Sequence, residues 1–212
     1  MPNAKNAKLK RPYQALYGVV QGSVFEDLRK ESARTIGSMD FDGIAIGGVA
    51  VGESKKEMAN VLDWVCPILP DDKPRHLLGV GEIDDIFELV AHGIDTFDCV
   101  QPTRLARMGH VFTRNPTNPT NTTNPTNKKF TFDITKSLFE KDSSPIDKGC
   151  GCYTCRHFSR AYVHHLFRVR ELLAYRLATI HNLHFVLKLT ADIAESIENN
   201  QFLELRKKWL YY

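Results

Sequence analysis

The chain has 212 residues, 42% apolar and 25% charged, with a formal net charge of +3. That is enough apolar material for a packed core, which excludes general disorder, and no run approaches the roughly 18 apolar residues of a membrane-spanning helix. The charge is uneven: Lys5, Lys8, Lys10 and Arg11 crowd the start and Arg156, Arg160, Arg168, Arg170 and Arg176 a later region. Local basic surface of this kind suits a polyanion, although each cation alone is an ordinary solvated side chain.

The segment Met1 to Arg11 is polar and basic and lacks the apolar core of a secretory signal, so a cytoplasmic location is expected. A strand–helix rhythm follows. Strands are predicted at 14–20, 43–46, 77–80 and 96–100, and helices at 26–36, 55–65 and 83–91. The strands are short and almost continuously apolar, as parallel strands buried on both faces are. Strands alternating with helices give βα units on a parallel sheet, so the fold class is α/β.

The last of these strands ends in Phe97-Asp98-Cys99-Val100, followed by Pro102-Thr103-Arg104 and then Arg107. Proline cannot donate to a sheet ladder and stops the strand. A carboxylate at a strand's C-terminal end beside cations on a loop fits a nucleophile or an acid/base group. On local pattern alone an Asp that caps a turn fits equally well.

Residues 115–127 repeat Asn, Pro and Thr, a composition that forms neither helix nor central strand and is expected as an exposed loop. Asn121-Thr122-Thr123 matches a glycosylation sequon, taken as chance without a secretory signal. Beyond Lys148 the pattern turns helical. Tyr162, Leu166, Val169, Leu173, Leu177 and Ile180 fall three or four apart, predicting one apolar stripe on one long helix, with a second helix at 190–199.

Of five cysteines, Cys66 and Cys99 are isolated and read as small buried hydrophobes. Cys150, Cys152 and Cys155 form Cys-x-Cys-x2-Cys, and an odd total with tight clustering points to a metal site rather than a disulfide framework. Three thiolates and one imidazole close a tetrahedral Zn²⁺ shell with no open position, which makes the ion structural. From spacing alone the histidine could be His157, His164, His165, His181 or His184.

Gly18-Val19-Val20-Gln21-Gly22-Ser23, Gly47-Gly48-Val49-Ala50-Val51-Gly52-Glu53, Gly79-Val80-Gly81, the Asp98 segment and the cysteine cluster stand in an order that resembles the tRNA-guanine transglycosylases, also called queuine tRNA-ribosyltransferases. The similarity runs from about Pro12 to the end and covers only the C-terminal part of those longer proteins. It implies the C-terminal half of a (β/α)8 TIM barrel with a helical zinc-binding appendage. The expected domains are barrel units at 1–112, an insertion at 113–130 and the zinc subdomain at 131–212.

The resemblance also implies a reaction: the wobble guanine of a tRNA is exchanged for a 7-deazaguanine base through a covalent Asp–ribose intermediate. By the motif, Asp98 is the nucleophile. Gln21, Gly47, Gly48, Val49, Ala50 and Leu78 line the base pocket, Arg104 and Arg107 hold the anticodon loop, and Cys150, Cys152, Cys155 and His181 bind zinc. Val51 stands where bacterial-type members carry valine, which implies a queuosine precursor rather than queuine. The family's general acid/base Asp and a second base-recognising Asp belong to its N-terminal half. The partners expected are therefore tRNA, the incoming base, and a homodimer or a separate N-terminal half. The competing reading is a non-catalytic, zinc-bearing tRNA-binding fragment or accessory subunit.

Overall fold

The structure, a computed structural model, describes residues 12–49, 52, 54–114 and 130–210. The Asn/Pro/Thr tract from 115 onward, Ala50, Val51 and the N-terminal lysines lie outside those residues. The chain divides into two compact units, Met1–Cys99 and Val100–Tyr212.

The first unit is a parallel sheet, order β1-β2-β3-β4, with a helix after each of its first three strands. Its elements are β1 (Tyr17–Val20), α1 (Glu26–Gly37), β2 (Gly43–Ile46), α2 (Lys55–Val65), β3 (Arg75–Leu77), α3 (Ile83–Ala91) and β4 (Thr96–Phe97). β2 is buried along its whole length, because strands lie on both sides of it. Val20, Ile44, Ile46 and Leu77 pack against Ala33, Val61, Leu62 and Leu89 from the helices. α2 begins with a reciprocal cap: Glu57 N–H donates to Ser54 Oγ, and Ser54 N–H to Glu57 Oε2 at 2.7 Å. Lys55, next in line, meets Glu82 at 3.0 Å and Asp84 and Asp85 at 2.8 Å each, tying the start of α2 to the start of α3. Burial alone would lower the Lys55 pKa, but its hydrogen bonds to those carboxylates more than offset that and hold it above the ordinary lysine value.

Two strands end earlier than their apolar runs. β3 was expected at 77–80 but occupies Arg75–Leu77, because Gly79 turns the chain with φ +79°. β4 pairs only through Thr96–Phe97, which leaves Asp98 just beyond the ladder.

The second unit opens with α4 (Gln101–Arg107), so Arg104 and Arg107 sit on a short helix rather than the expected loop. Pro102 explains both facts: it cannot extend a strand, but its fixed φ suits the first turn of a helix. β5 (His110–Phe112) and β6 (Thr131–Asp133) follow as an antiparallel pair that brackets the insertion. Then come α5 (Tyr153–His157), α6 (Arg160–Arg168), α7 (Leu172–Glu198) and α8 (Phe202–Leu210). The single long helix expected across 162–180 is two helices. Arg170 takes φ +60° between them, and Glu171 N–H closes back onto Leu166 O at 2.9 Å. α7 in turn continues through 190–199, where a separate helix was expected.

The core of this unit joins Val111, Phe132, Ile134 and Phe139 to Val163, Leu166, Ala174 and Leu177. Arg160 closes one side of it. Its guanidinium lies 5.0 Å from the Phe132 ring, donates to Ile146 O at 2.8 and 3.2 Å, and pairs with Asp142 at 3.1 Å.

Candidate active site and metal centre

All four strands of the first unit run the same way, so the segments after them share one edge. That edge is where α/β enzymes place their chemistry. The sequence-predicted residues Gln21, Gly47, Gly48, Leu78 and Asp98 all follow strands there.

Asp98 comes directly after β4, with its side chain 59% exposed. Gly79 N–H donates to Asp98 Oδ1 at 3.1 Å, and His76 Nε2 meets the same oxygen at 3.2 Å. The other ring nitrogen of His76 meets Thr96 Oγ1 at 2.8 Å. The β3–β4 register creates this cluster by placing His76 opposite Thr96, two residues before Asp98. Leu78, between His76 and Gly79, is 37% exposed and is free to cover a flat ring. Asp95 lies at the other end of β4 and accepts from Arg75 N–H at 2.7 Å, away from this edge.

At the far side of the sheet, Gln21 after β1 lies against Gly47 and Gly48 after β2. A Cβ built on Gly47 would come 2.6 Å from Gln21 Nε2, and one on Gly48 2.9 Å from Gln21 Oε1. Gly48 also holds φ +62°, a conformation that favours glycine. The turn favours glycine at Gly48, and at Gly47 any side chain would have to displace the Gln21 amide. Arg29 of α1, fully buried, reaches these loops from below. It donates to Gly47 O at 2.7 Å, Gly48 O at 2.6 Å and Ser23 O at 2.6 Å. Aiming both carbonyls at the guanidinium fixes the peptide planes of the glycine loop, hence the direction of its N–H groups. Val49, which follows the two glycines, is 3% exposed and its side chain packs into the core.

Arg104 and Arg107 are exposed, three apart on α4. A guanidinium pair of this kind can fork to phosphate oxygens or base edges.

The second unit holds a group that could bind a metal. Cys150, Cys152, Cys155 and His181 bring their ligand atoms within 4.8 Å of one another. The sulfurs lie 3.7, 3.6 and 3.4 Å from His181 Nδ1. His181 Nε2 donates to Phe112 O at 2.7 Å, which puts the ring proton on Nε2 and leaves the Nδ1 lone pair facing the three thiols. Cys155 N–H donates to Cys152 Sγ, and Asp147 N–H to Cys155 Sγ. Hydrogen bonds from the Cys150 and Cys155 thiols hold Cys152 below the usual thiol range, while hydrogen bonds with Cys150 and Cys152 push Cys155 above it, so the three thiols share one charge. Thr154 anchors the turn by donating to Leu177 O at 2.7 Å. The histidine that spacing left open is settled by burial and aim: of the five candidates only His181 joins the thiol group among the described residues.

Three contributors escape sequence reasoning: His76, Thr96 and Arg29. A signal existed for the first two, since residues two apart on neighbouring strands share a face, but it requires the strand register. Arg29 gives none, because a lone arginine on an amphipathic helix reads as solvated.

The sequence model of the family described as Queuine tRNA-ribosyltransferase matches residues 2–212. Among similar proteins is a queuine tRNA-ribosyltransferase of Desulforudis audaxviator, 50% identical over 196 residues, covering 92% of this chain and 49% of that protein. One of Roseiflexus is 47% identical over 199 residues, 94% of this chain and 47% of its own length. One of Clostridium tetani is 46% identical over 211 residues, 100% of this chain and 51% of its own length. The chain spans about half the length of the curated relatives it matches.

Proposed function

The chain belongs to the queuine tRNA-ribosyltransferase family, and from that premise we propose that it serves tRNA-guanine transglycosylation, replacing the wobble guanine of a tRNA by a 7-deazaguanine queuosine precursor. The observation that carries this is Asp98: an exposed carboxylate beyond β4, one oxygen of which accepts from Gly79 N–H and contacts His76. In this reading a carboxylate oxygen donates its electron pair to ribose C1′ as the C1′–N9 pair leaves with guanine, which takes up a proton. The incoming base then gives up a proton, bonds to C1′ and releases the carboxylate. No phosphodiester bond is broken. This is double displacement with a carboxylate nucleophile, as in retaining glycosidases.

Gln21 offers both a donor and an acceptor to a purine edge, the Gly47–Gly48 loop offers backbone N–H groups, and Leu78 offers an apolar cover. Ala50 would continue this wall. Arg104 and Arg107 would grip the anticodon loop, whose bases must splay out for the guanine to be reached.

The four parallel strands are the last four of a (β/α)8 TIM barrel in this reading. β1 and β4 are both sheet edges among the described residues, which supports a further half or a second copy pairing there. Homodimerisation and a cytoplasmic location accompany the proposal. Among the described residues no helix is long and apolar enough to cross a membrane.

Zinc is the metal we propose for the Cys150, Cys152, Cys155 and His181 group. Zn–S bonds of about 2.3 Å and a Zn–N bond of about 2.0–2.1 Å at tetrahedral angles place each sulfur about 3.6 Å from the nitrogen. The three distances, 3.7, 3.6 and 3.4 Å, meet that requirement. Four protein ligands leave no open position, so the ion would pin the turn before α5 to α7 and take no part in exchange.

A second reading rests on the half-length coverage: a non-catalytic, zinc-bearing tRNA-binding fragment or accessory subunit. One assay separates the two. Labelled guanine is incubated with the chain and a tRNA carrying a wobble guanine, with Asp98→Asn as control. Incorporation that the substitution abolishes supports exchange. Folded, metal-loaded protein that binds the tRNA without incorporation supports the binding module.

A further inference from the structure

We infer that His76 is a positioning residue for Asp98: held by Thr96 and acting with Gly79 N–H, it fixes Oδ1 so that Oδ2 is the oxygen presented to substrate. The inference rests on the reading of Asp98 as the nucleophile.

A carboxylate can only accept hydrogen bonds, so the 3.2 Å contact requires the ring proton on Nε2 of His76. With that proton placed, Nδ1 of the neutral ring is a lone pair, and at 2.8 Å it accepts from the Thr96 hydroxyl. The acceptor-only Asp98 thus selects the tautomer, and Thr96, by bonding the other ring nitrogen, holds the ring in the orientation that points the donor at Asp98. The chain of contacts runs Thr96 to His76 to Asp98 Oδ1, and the second donor on Oδ1 is the amide of Gly79. Gly79 takes φ +79°, so the turn that ends β3 is also what aims that amide. Both described donors converge on one oxygen, while the side chain as a whole remains 59% exposed.

A carboxylate swings freely about its terminal torsion unless something holds one oxygen. Two donors from two directions remove that freedom. Attack needs an oxygen at a defined distance and angle, and misplacement by about 1 Å can cost on the order of a hundredfold in rate. His76 is 24% exposed at the side chain, more enclosed than the carboxylate it holds.

The test combines spectroscopy with exchange. Ring ¹⁵N shifts of His76 are measured in the full chain, in Asp98→Asn and in Thr96→Val. The expected result is a protonated Nε2 in wild type, a shifted ring signal in Asp98→Asn, and, in Thr96→Val, an Nδ1 signal that has lost its hydrogen bond while Nε2 stays protonated. A ring that ignores Asp98→Asn overturns the pairing, whatever the chain's activity. In the exchange assay, His76→Phe fills the volume without a donor, whereas His76→Gln keeps an N–H near the place of Nε2. Expected are a fall in kcat of about tenfold or more for His76→Phe with KM for tRNA unchanged, and recovery of most of that loss in His76→Gln. Wild-type kcat in His76→Phe overturns the positioning role. Should Asp98→Asn leave exchange intact, the reading of Asp98 as nucleophile fails separately, while the ring shifts still decide whether the pair exists.

Discussion

His181 donates from Nε2 to the carbonyl of Phe112 at 2.7 Å, a bond that joins residues 69 apart in sequence. The neighbouring Asn182 accepts from the N–H of the same residue at 2.9 Å. One pair of consecutive residues on α7 therefore satisfies both backbone groups of the last residue in β5. The metal-binding group and the hairpin are held by the same two positions.

The first prediction concerns that metal. Cys152→Ser with Cys155→Ser should abolish stoichiometric zinc binding and lower the unfolding midpoint of the second unit, and a chelator should do the same to wild type. Metal content and thermal unfolding with and without chelator check this. Full zinc retention in the double variant rules the site out.

Asn182 should matter for stability without touching the metal. Its amide, on a fully buried residue, also donates to Pro102 O at 2.9 Å and to the part-buried His110 O at 3.0 Å. Asn182→Leu strands one N–H and two carbonyls and should cost about 3 kcal/mol. Denaturant unfolding measures it, and a loss within about 0.5 kcal/mol would sink the account.

Arg29→Met should loosen the glycine loop. It removes the donations to the carbonyls of Gly47, Gly48 and Ser23 and should destabilise by about 3 kcal/mol. Under the proposed function, weaker binding of a 7-deazaguanine base should accompany that loss, and Arg29→Lys should restore only part of either, because an ammonium cannot match the planar fork. Base affinity of the folded variants, by calorimetry, is the deciding measurement.

Acid should weaken the second unit through Asp142. Burial alone would push its carboxyl up, but hydrogen bonds from Ser144 and Arg160 more than offset that and hold it below the usual carboxylate value. A carboxyl lowered in the folded state contributes stability that is complete above its unfolded value, about 3.9, and is lost as pH falls through the folded one. Asp133, lowered against burial by Thr135, acts in the same direction. Asp142→Asn should therefore be less stable than wild type near neutrality, with the gap closing in strong acid. Urea midpoints across that range test it, and a constant gap would overturn it.

Much of the first unit is legible in the chain itself. Helix bounds at 26–36, 55–65 and 83–91 come close to those observed, because amphipathic spacing acts locally and, at α2, so does the Ser54–Glu57 cap. The Asp98 cluster was only half visible. Its carboxylate marks a strand end, but its partners come from another strand and depend on register. β5 and β6 were missed because three residues each are too few to show a period, and the tract between them hides their pairing. The break at Arg170 is invisible for the opposite reason: the apolar stripe runs through it without interruption. The burial of the Val49 side chain was not legible either, because its motif neighbours give no sign of which way it points.

The hairpin has a practical corollary. Thr113 N–H donates to Phe130 O at 2.8 Å, extending the β5–β6 ladder to the two ends of the insertion. A segment whose ends are stapled together in this way pays for added length only through loop closure, roughly 0.6 kcal/mol per doubling. The hairpin is thus a docking port for foreign sequence. An epitope or a fluorophore-bearing peptide could be spliced between residues 114 and 130 while the metal-binding group and α7 keep their register.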